Sequence, residues 1–328
     1  MRIKIKKIAF GFFVLVSVFF VSSLFFKKEV RQENIQASVL TVEKANKKGR
    51  ENLESQKYSD FFPKRRRDDY NFEGGEKAGF AVFFDQKGRE KILYQKNIEE
   101  GLSIASLTKL MTAMLVIDNY DLEKKVIVSK SAIDTLGTSG RLVVGERITI
   151  KGLLELTLLV SSNDAAQALA EVMGPEKFIE EMNKKAKAIG LLDTNFADAH
   201  GLSDDNYSSA SDLVLLTQYS IINYPQVWEI LGTKEMVVYG ESHLGGEIIH
   251  YPKNTNKLMG KSHVFGGKTG YTHKAGDTMI LAMEAPGFLD GNIVLVLLGL
   301  GVGERMPKME NFYNWVLWGW NWGDFEIN

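Results

Sequence analysis

The stretch IASLTKLMTAMLV (residues 104–116) decides how this chain is read. Leu107, Leu110, Met111, Met114 and Leu115 recur at helical spacing with few breakers, which predicts a helix over residues 106–119. The helix is apolar enough to be buried, yet it carries Lys109 three residues after Ser106. That spacing places both side chains on one helix face. A lysine in an apolar lobe is held below its ordinary pKa, because burial penalises the ammonium. A neutral amine beside a serine hydroxyl is the pairing that nucleophilic catalysis needs.

Working outward, residues 78–85 (AGFAVFFD) read as a strand, 86–89 as a turn and 91–95 as a returning strand. Helices are predicted over 151–160 and over 164–173, the second capped by Asp164 and stopped by Gly174-Pro175. Two more follow, at 176–189, ended by Gly190, and at 211–223, ended by Pro225. Strands return at 235–239 and 247–251 around Gly245-Gly246, then at 264–268, 278–284 and 293–300, with a closing helix at 307–320. Strands, helices, then strands and a last helix indicate an α/β chain of the α+β kind. One sheet is built from both ends of the chain, with an inserted helical lobe. A site is expected between sheet and lobe.

Two further motifs join Ser106-Leu107-Thr108-Lys109. Ser161-Ser162-Asn163 sits where one apolar helix ends and the next begins, and Lys268-Thr269-Gly270 is expected to end a strand. Each is common alone; together, in this order, they form the S-x-x-K, S-x-N and K-T-G set of serine acyl-transfer enzymes. Ser106 is the expected nucleophile and Lys109 its base, with the Ser106 N–H at a helix start as an oxyanion donor. Ser161 is expected to relay a proton to the leaving amine, and Asn163 to hold Lys109 or a substrate amide. Lys268 and Thr269 offer a cation and a hydroxyl to a carboxylate. Gly270 leaves room for substrate along the strand edge, and the Tyr271 N–H is the candidate second oxyanion donor. His200 reads equally as a brace for the site or as a structural histidine.

Residues 8–26 (IAFGFFVLVSVFFVSSLFF) are uncharged and long enough to cross a membrane, and Arg2, Lys4, Lys6 and Lys7 precede them. The expectation is a cytoplasmic tip and transmembrane helix over 1–27, a charged stalk over 28–72, and an extracytoplasmic catalytic domain over 73–328. A cleaved signal peptide would export the same domain, but it calls for a shorter apolar core and a small-residue cleavage site. Val21-Ser22-Ser23 before Leu24-Phe25-Phe26 is a poor one. Lys64-Arg65-Arg66-Arg67 reads as a solvated charge run. A net charge of −1 gives no global field for nucleic acid. The absence of cysteine excludes disulfides and thiol chemistry, and the five histidines form no metal-ligand pattern. Metal chemistry is not expected from this composition.

IASLTKLMTAMLV (104–116), LLVSSNDAAQALAE (158–171), AHGLSDDNYSSASDL (199–213), NTNKLM (254–259) and GGKTGYTHKAG (266–276) resemble the serine D-Ala-D-Ala carboxypeptidases, the low-molecular-mass penicillin-binding proteins. The resemblance covers about residues 76–320. It implies a β-lactamase/transpeptidase-like antiparallel sheet flanked by helices. It also implies removal of the terminal D-alanine from peptidoglycan stem peptides through a Ser106 acyl-enzyme, with β-lactams as covalent inhibitors and no metal or organic cofactor. Many members add a β-rich domain and an amphipathic C-terminal anchor. Here residues 301–328 alone follow the last expected strand, so the N-terminal segment is expected to be the anchor. Asn254-Thr255-Asn256 departs from the family's Asn-Arg-Asn-like stretch. Trp315, Trp318, Trp320 and Trp322 are read as packing of the closing helix rather than as membrane contacts. A D,D-endopeptidase uses the same residues and stays open. A β-lactamase is disfavoured because residues 190–203 hold no glutamate for deacylation, and a non-catalytic wall-binding scaffold because the motif set is intact.

Overall fold

Strand β1 (Ala78–Asp85) and strand β2 (Glu90–Lys96) form an antiparallel hairpin around the turn at 86–89. The computed structural model describes residues 63–66, 71–137, 140–287 and 289–322. The expected membrane segment and most of the stalk lie outside them. Among the described residues no helix is long and apolar enough to cross a membrane.

After β2 the chain makes a 3₁₀ turn, Ala105–Thr108, that runs into α1 (Lys109–Asn119). Two short strands follow, β3 (Lys125–Ile127) and β4 (Arg147–Thr149). Next come α2 (Ile150–Leu159), α3 (Asn163–Glu171), α4 (Pro175–Ile189), α5 (Ala210–Asn223) and α6 (Pro225–Gly232). Strands β5 (Val238–Glu241), β6 (Glu247–His250), β7 (Val264–Thr272), β8 (Gly276–Glu284) and β9 (Gly291–Leu300) precede the closing helix α7 (Arg305–Gly319).

The main sheet is antiparallel throughout, in the order β7-β8-β9-β1-β2. It joins strands from both ends of the chain, as the element order implied. Its two faces are both buried, which is why its central strands read as unbroken apolar runs rather than as alternation. Phe80, Val82, Ile280, Ala282, Val294 and Val296 face the helical lobe. Ala81, Phe83, Leu281, Met283, Ile293 and Leu295 face α7. Each of the larger side chains stabilises the fold by about 1.5–3 kcal/mol on burial. On the α7 side, Phe72 stacks on Phe312 at 4.3 Å between ring centroids, and Trp315, Trp320 and Trp322 are buried. Three of the four C-terminal tryptophans therefore pack as the closing layer, while Trp318 is exposed.

Several boundaries differ from the sequence reading, each for a physical reason. Ser162, not Asp164, caps α3: its Oγ accepts from the Ala165 N–H at 3.1 Å, and Asp164 sits in the first turn. Pro225 ends α5 but also opens α6, since proline suits a first helical position. Strand β7 continues to Thr272, so Lys268-Thr269-Gly270 lies within an edge strand rather than at its end. The hairpin expected at 235–251 is shorter and belongs to a second sheet, β3-β4-β5-β6. Upstream of residue 73, Lys64 and Arg65 pair with Asn321 and Trp320, and the Arg65 guanidinium lies 5.8 Å from the Trp315 ring centroid.

Candidate active site

The 3₁₀ turn puts Ser106 on the line where the lobe meets edge strand β7. Two glycines let the chain close around it. A Cβ on Gly270 would lie 3.0 Å from the Ser106 nitrogen, and one on Gly201, at φ +87°, would lie 2.1 Å from the Ala105 carbonyl oxygen. Any side chain at Gly201 would thus collide with the turn that presents Ser106. Ala105 and Ser161 hold left-handed φ values of 50° and 59°. Non-glycine residues in that region are strained, and such strain is held where surrounding contacts dictate it. Here it falls on the residue before Ser106 and on Ser161 itself.

Lys109 is fully buried at the start of α1. Its Nζ lies 2.9 Å from Ser106 Oγ and 2.7 Å from Asn163 Oδ1, and it also contacts the His200 carbonyl oxygen. Burial lowers its pKa to about 7, against upward pulls from Asp198 and Asp164. Asn163 is held in turn by its amide, which donates to the Leu136 carbonyl at 2.8 Å.

Lys268 is also fully buried, and its Nζ donates to Ser161 Oγ at 2.7 Å and to the Thr269 carbonyl at 3.0 Å. Burial, then Lys109 and Arg305, hold it well below the ordinary lysine value. Ser106, Lys109 and Asn163 thus form one hydrogen-bonded set and Ser161 with Lys268 a second, and the two sets adjoin at the 161–163 turn on elements that are distant in sequence. Thr269 Oγ1 donates to Thr255 Oγ1 at 2.8 Å, which ties β7 to the Asn254-Thr255-Asn256 loop. Tyr271 follows on the edge strand and is partly exposed.

Four residues of the site were not legible from motifs. Asp198 anchors the loop that carries the His200 carbonyl, and Thr255 meets Thr269. Asp164 accepts the Gly140 N–H at 3.0 Å and contacts the Ser162 hydroxyl. Arg305, at the start of α7, donates to the Gly270 carbonyl at 2.9 Å and pairs with Asp277 at 3.0 Å. His200 serves the site through its backbone oxygen. Among the described residues no cluster of His, Asp and Glu has metal-binding geometry.

The sequence profile of the D-alanyl-D-alanine carboxypeptidases matches residues 73–296, more than half of the chain. This chain belongs to the D-alanyl-D-alanine carboxypeptidase family. It is 36% identical over 195 residues to the D-alanyl-D-alanine carboxypeptidase DacF of Bacillus subtilis, a match covering 56% of this chain and 49% of that protein. It is 33% identical over 211 residues to the D-alanyl-D-alanine endopeptidase of Escherichia coli, covering 62% of this chain and 66% of that one. The chain thus spans about half the length of the Bacillus relative and just under two thirds of the Escherichia one. Among solved structures, the DD-transpeptidase of Streptomyces K15 superposes with a TM-score of 0.68 at 26% identity, covering 76% of this chain and 98% of that one. The α+β architecture is the penicillin-binding, transpeptidase-type fold.

Proposed function

We propose that this family member is a serine D-Ala-D-Ala carboxypeptidase that acts on peptidoglycan stem peptides through an acyl-enzyme on Ser106. The observation that carries the reading is the hydrogen bonding of Lys109. A neutral amine has two N–H groups and one lone pair. Asn163 Oδ1 and the His200 carbonyl can only accept, so they take the two protons. The lone pair is left facing the Ser106 hydroxyl 2.9 Å away. A pKa of about 7 keeps much of Lys109 in that neutral form at physiological pH.

In this mechanism Lys109 takes the Ser106 proton as Oγ attacks the carbonyl of the penultimate D-alanine. The N–H groups of Ser106 and Tyr271 receive the oxyanion. Ser161, linked to Lys268 at 2.7 Å, passes a proton to the departing D-alanine amine. The arriving substrate carboxylate favours the protonated form of Lys268, which with the Thr269 hydroxyl binds it, and Gly270 leaves space along the strand. Water then cleaves the acyl-enzyme. β-Lactams acylate the same oxygen and are released slowly, in keeping with the lack of a glutamate in residues 190–203. No metal or organic cofactor takes part. Residues 8–26 anchor the protein as a single-pass segment, the 28–72 stretch is a stalk, and the catalytic domain (73–328) lies outside the membrane; the uncharged run behind four basic residues supports this placement.

Cleavage of cross-links is the second reading, favoured by the likeness to relatives named endopeptidases in Pseudomonas aeruginosa and Escherichia coli. Incubation with pentapeptide monomers and with cross-linked dimers separates the two. Release of D-alanine from the monomer is the expected outcome; preferential conversion of dimer to monomer would establish the endopeptidase.

A further inference from the structure

The Asp198 carboxylate binds three backbone N–H groups of its own loop: His200 at 3.0 Å and Gly201 at 2.5 Å on Oδ1, and Ser203 at 2.6 Å on Oδ2. This turn sets two carbonyls against α1. The Ala199 oxygen accepts from Thr112 Oγ1 at 2.6 Å, and the His200 oxygen receives Lys109 Nζ. It also fixes Gly201 against the Ser106 turn. One largely buried carboxylate therefore shapes the loop that aims the lysine, without touching the lysine itself.

We infer that Asp198 is a positioning residue for the general base: it locks the 198–203 loop so that the His200 carbonyl holds Lys109 on Ser106, and it is a counter-charge for the ammonium formed when Ser106 loses its proton. The inference rests on the reading of Ser106 and Lys109 above. In the acylation step the hydroxyl proton moves to Nζ as the Oγ–carbonyl bond forms, so a cation appears where there was none. The charged and titratable groups facing it are Asp164 beside Asn163, Lys268 on β7 with Arg305 behind it, and His200 and Asp198 on the loop. Of these, Asp198 and Asp164 favour the cation, and Asp198 alone also dictates the loop. A structural turn would need only the hydrogen-bond acceptors, whereas a counter-charge needs the negative charge.

Asp198→Asn removes the charge while the amide oxygen keeps the bonds to His200 and Gly201 on Oδ1; the Ser203 N–H, bound to Oδ2, loses its acceptor, so the direction of the pH shift rather than a loss of rate reports the charge. Losing the charge lowers the Lys109 pKa further, so the neutral base persists to lower pH. The rate of β-lactam acylation, followed by mass spectrometry on the full chain, should then keep its rise with pH but move it about 1 unit lower, with a slower plateau from the weaker base. Asp198 also acts on the buried His200 imidazole, so the comparison is repeated in a His200→Gln background, where the same shift should survive. If Asp198→Asn does not fold, Asp198→Ser, which can also form a side-chain turn, carries the same test. A rise at the wild-type pH, or a shift that vanishes with His200 replaced, overturns the inference. A wild-type chain that is not acylated at any pH overturns the serine-enzyme reading instead.

Discussion

Helix α1 has a lysine held at each end, buried at the first residue and partly solvent-accessible near the last turn, and the two settings are built differently. At its first residue, Lys109 is surrounded by neutral acceptors: a hydroxyl, an amide oxygen and a backbone carbonyl. Near its last turn, Asp118 receives Lys185 from α4 at 2.7 Å, and the Tyr224 hydroxyl at 2.9 Å completes the knot. The Lys185 ammonium also lies 5.1 Å from the Tyr224 ring centroid. A lysine paired with a carboxylate fastens helices together. A lysine whose direct partners are neutral oxygens in a dry lobe, with carboxylates only beyond them, is free to lose its proton, and that freedom makes it a base.

The largest expected effect comes from removing the base. Lys109→Met fills similar volume without an amine, and acylation by a labelled penicillin should fall by about 10²–10⁴-fold while the fold is retained. Giving the catalytic lysine what the structural one has should have a smaller effect that pH can reverse. Asn163→Asp places a carboxylate on Lys109 and raises its pKa by about 1–3 units. Acylation at pH 7 should drop by about 5- to 500-fold, and raising the pH should restore it. An unchanged pH profile in this variant would mean that the neutral acceptors around Lys109 do not set its proton affinity. The smallest catalytic effect belongs to the other end of the helix. Lys185→Met should leave the acylation rate as it was and cost about 1 kcal/mol or less in denaturant unfolding, since a solvent-accessible ion pair is lost.

The same contrast explains what was legible in the sequence. Ser106 and Lys109 lie one helical turn apart, so local periodicity brings them together before any tertiary contact is known. The sheet was legible because β1, β8 and β9 are long apolar runs. The second sheet was not, because β3 and β4 have three residues each and β4 pairs with β5 from about 90 positions away; neither carries enough pattern to stand out. Asp198 and Thr255 escaped for a related reason. Asp198 works through a turn whose carbonyls meet α1 only in the folded lobe, and Thr255 matters only through Thr269. Lys268 could be found by motif, but its aim at Ser161 rather than outward is set by how β7 passes the α2–α3 junction. The Ser162 cap was misassigned to Asp164 because both are capping residues, and their order is decided by where α2 stops.

The most direct measurement is the pH dependence and site of acylation on the intact chain. After reaction with a β-lactam, digestion and mass spectrometry should find one adduct, on the peptide containing Ser106, with a rate that rises with pH through about 7 as Lys109 becomes neutral. An adduct that survives Ser106→Ala, or a rate flat across this range, would contradict the assignment of Ser106 and Lys109 as nucleophile and base.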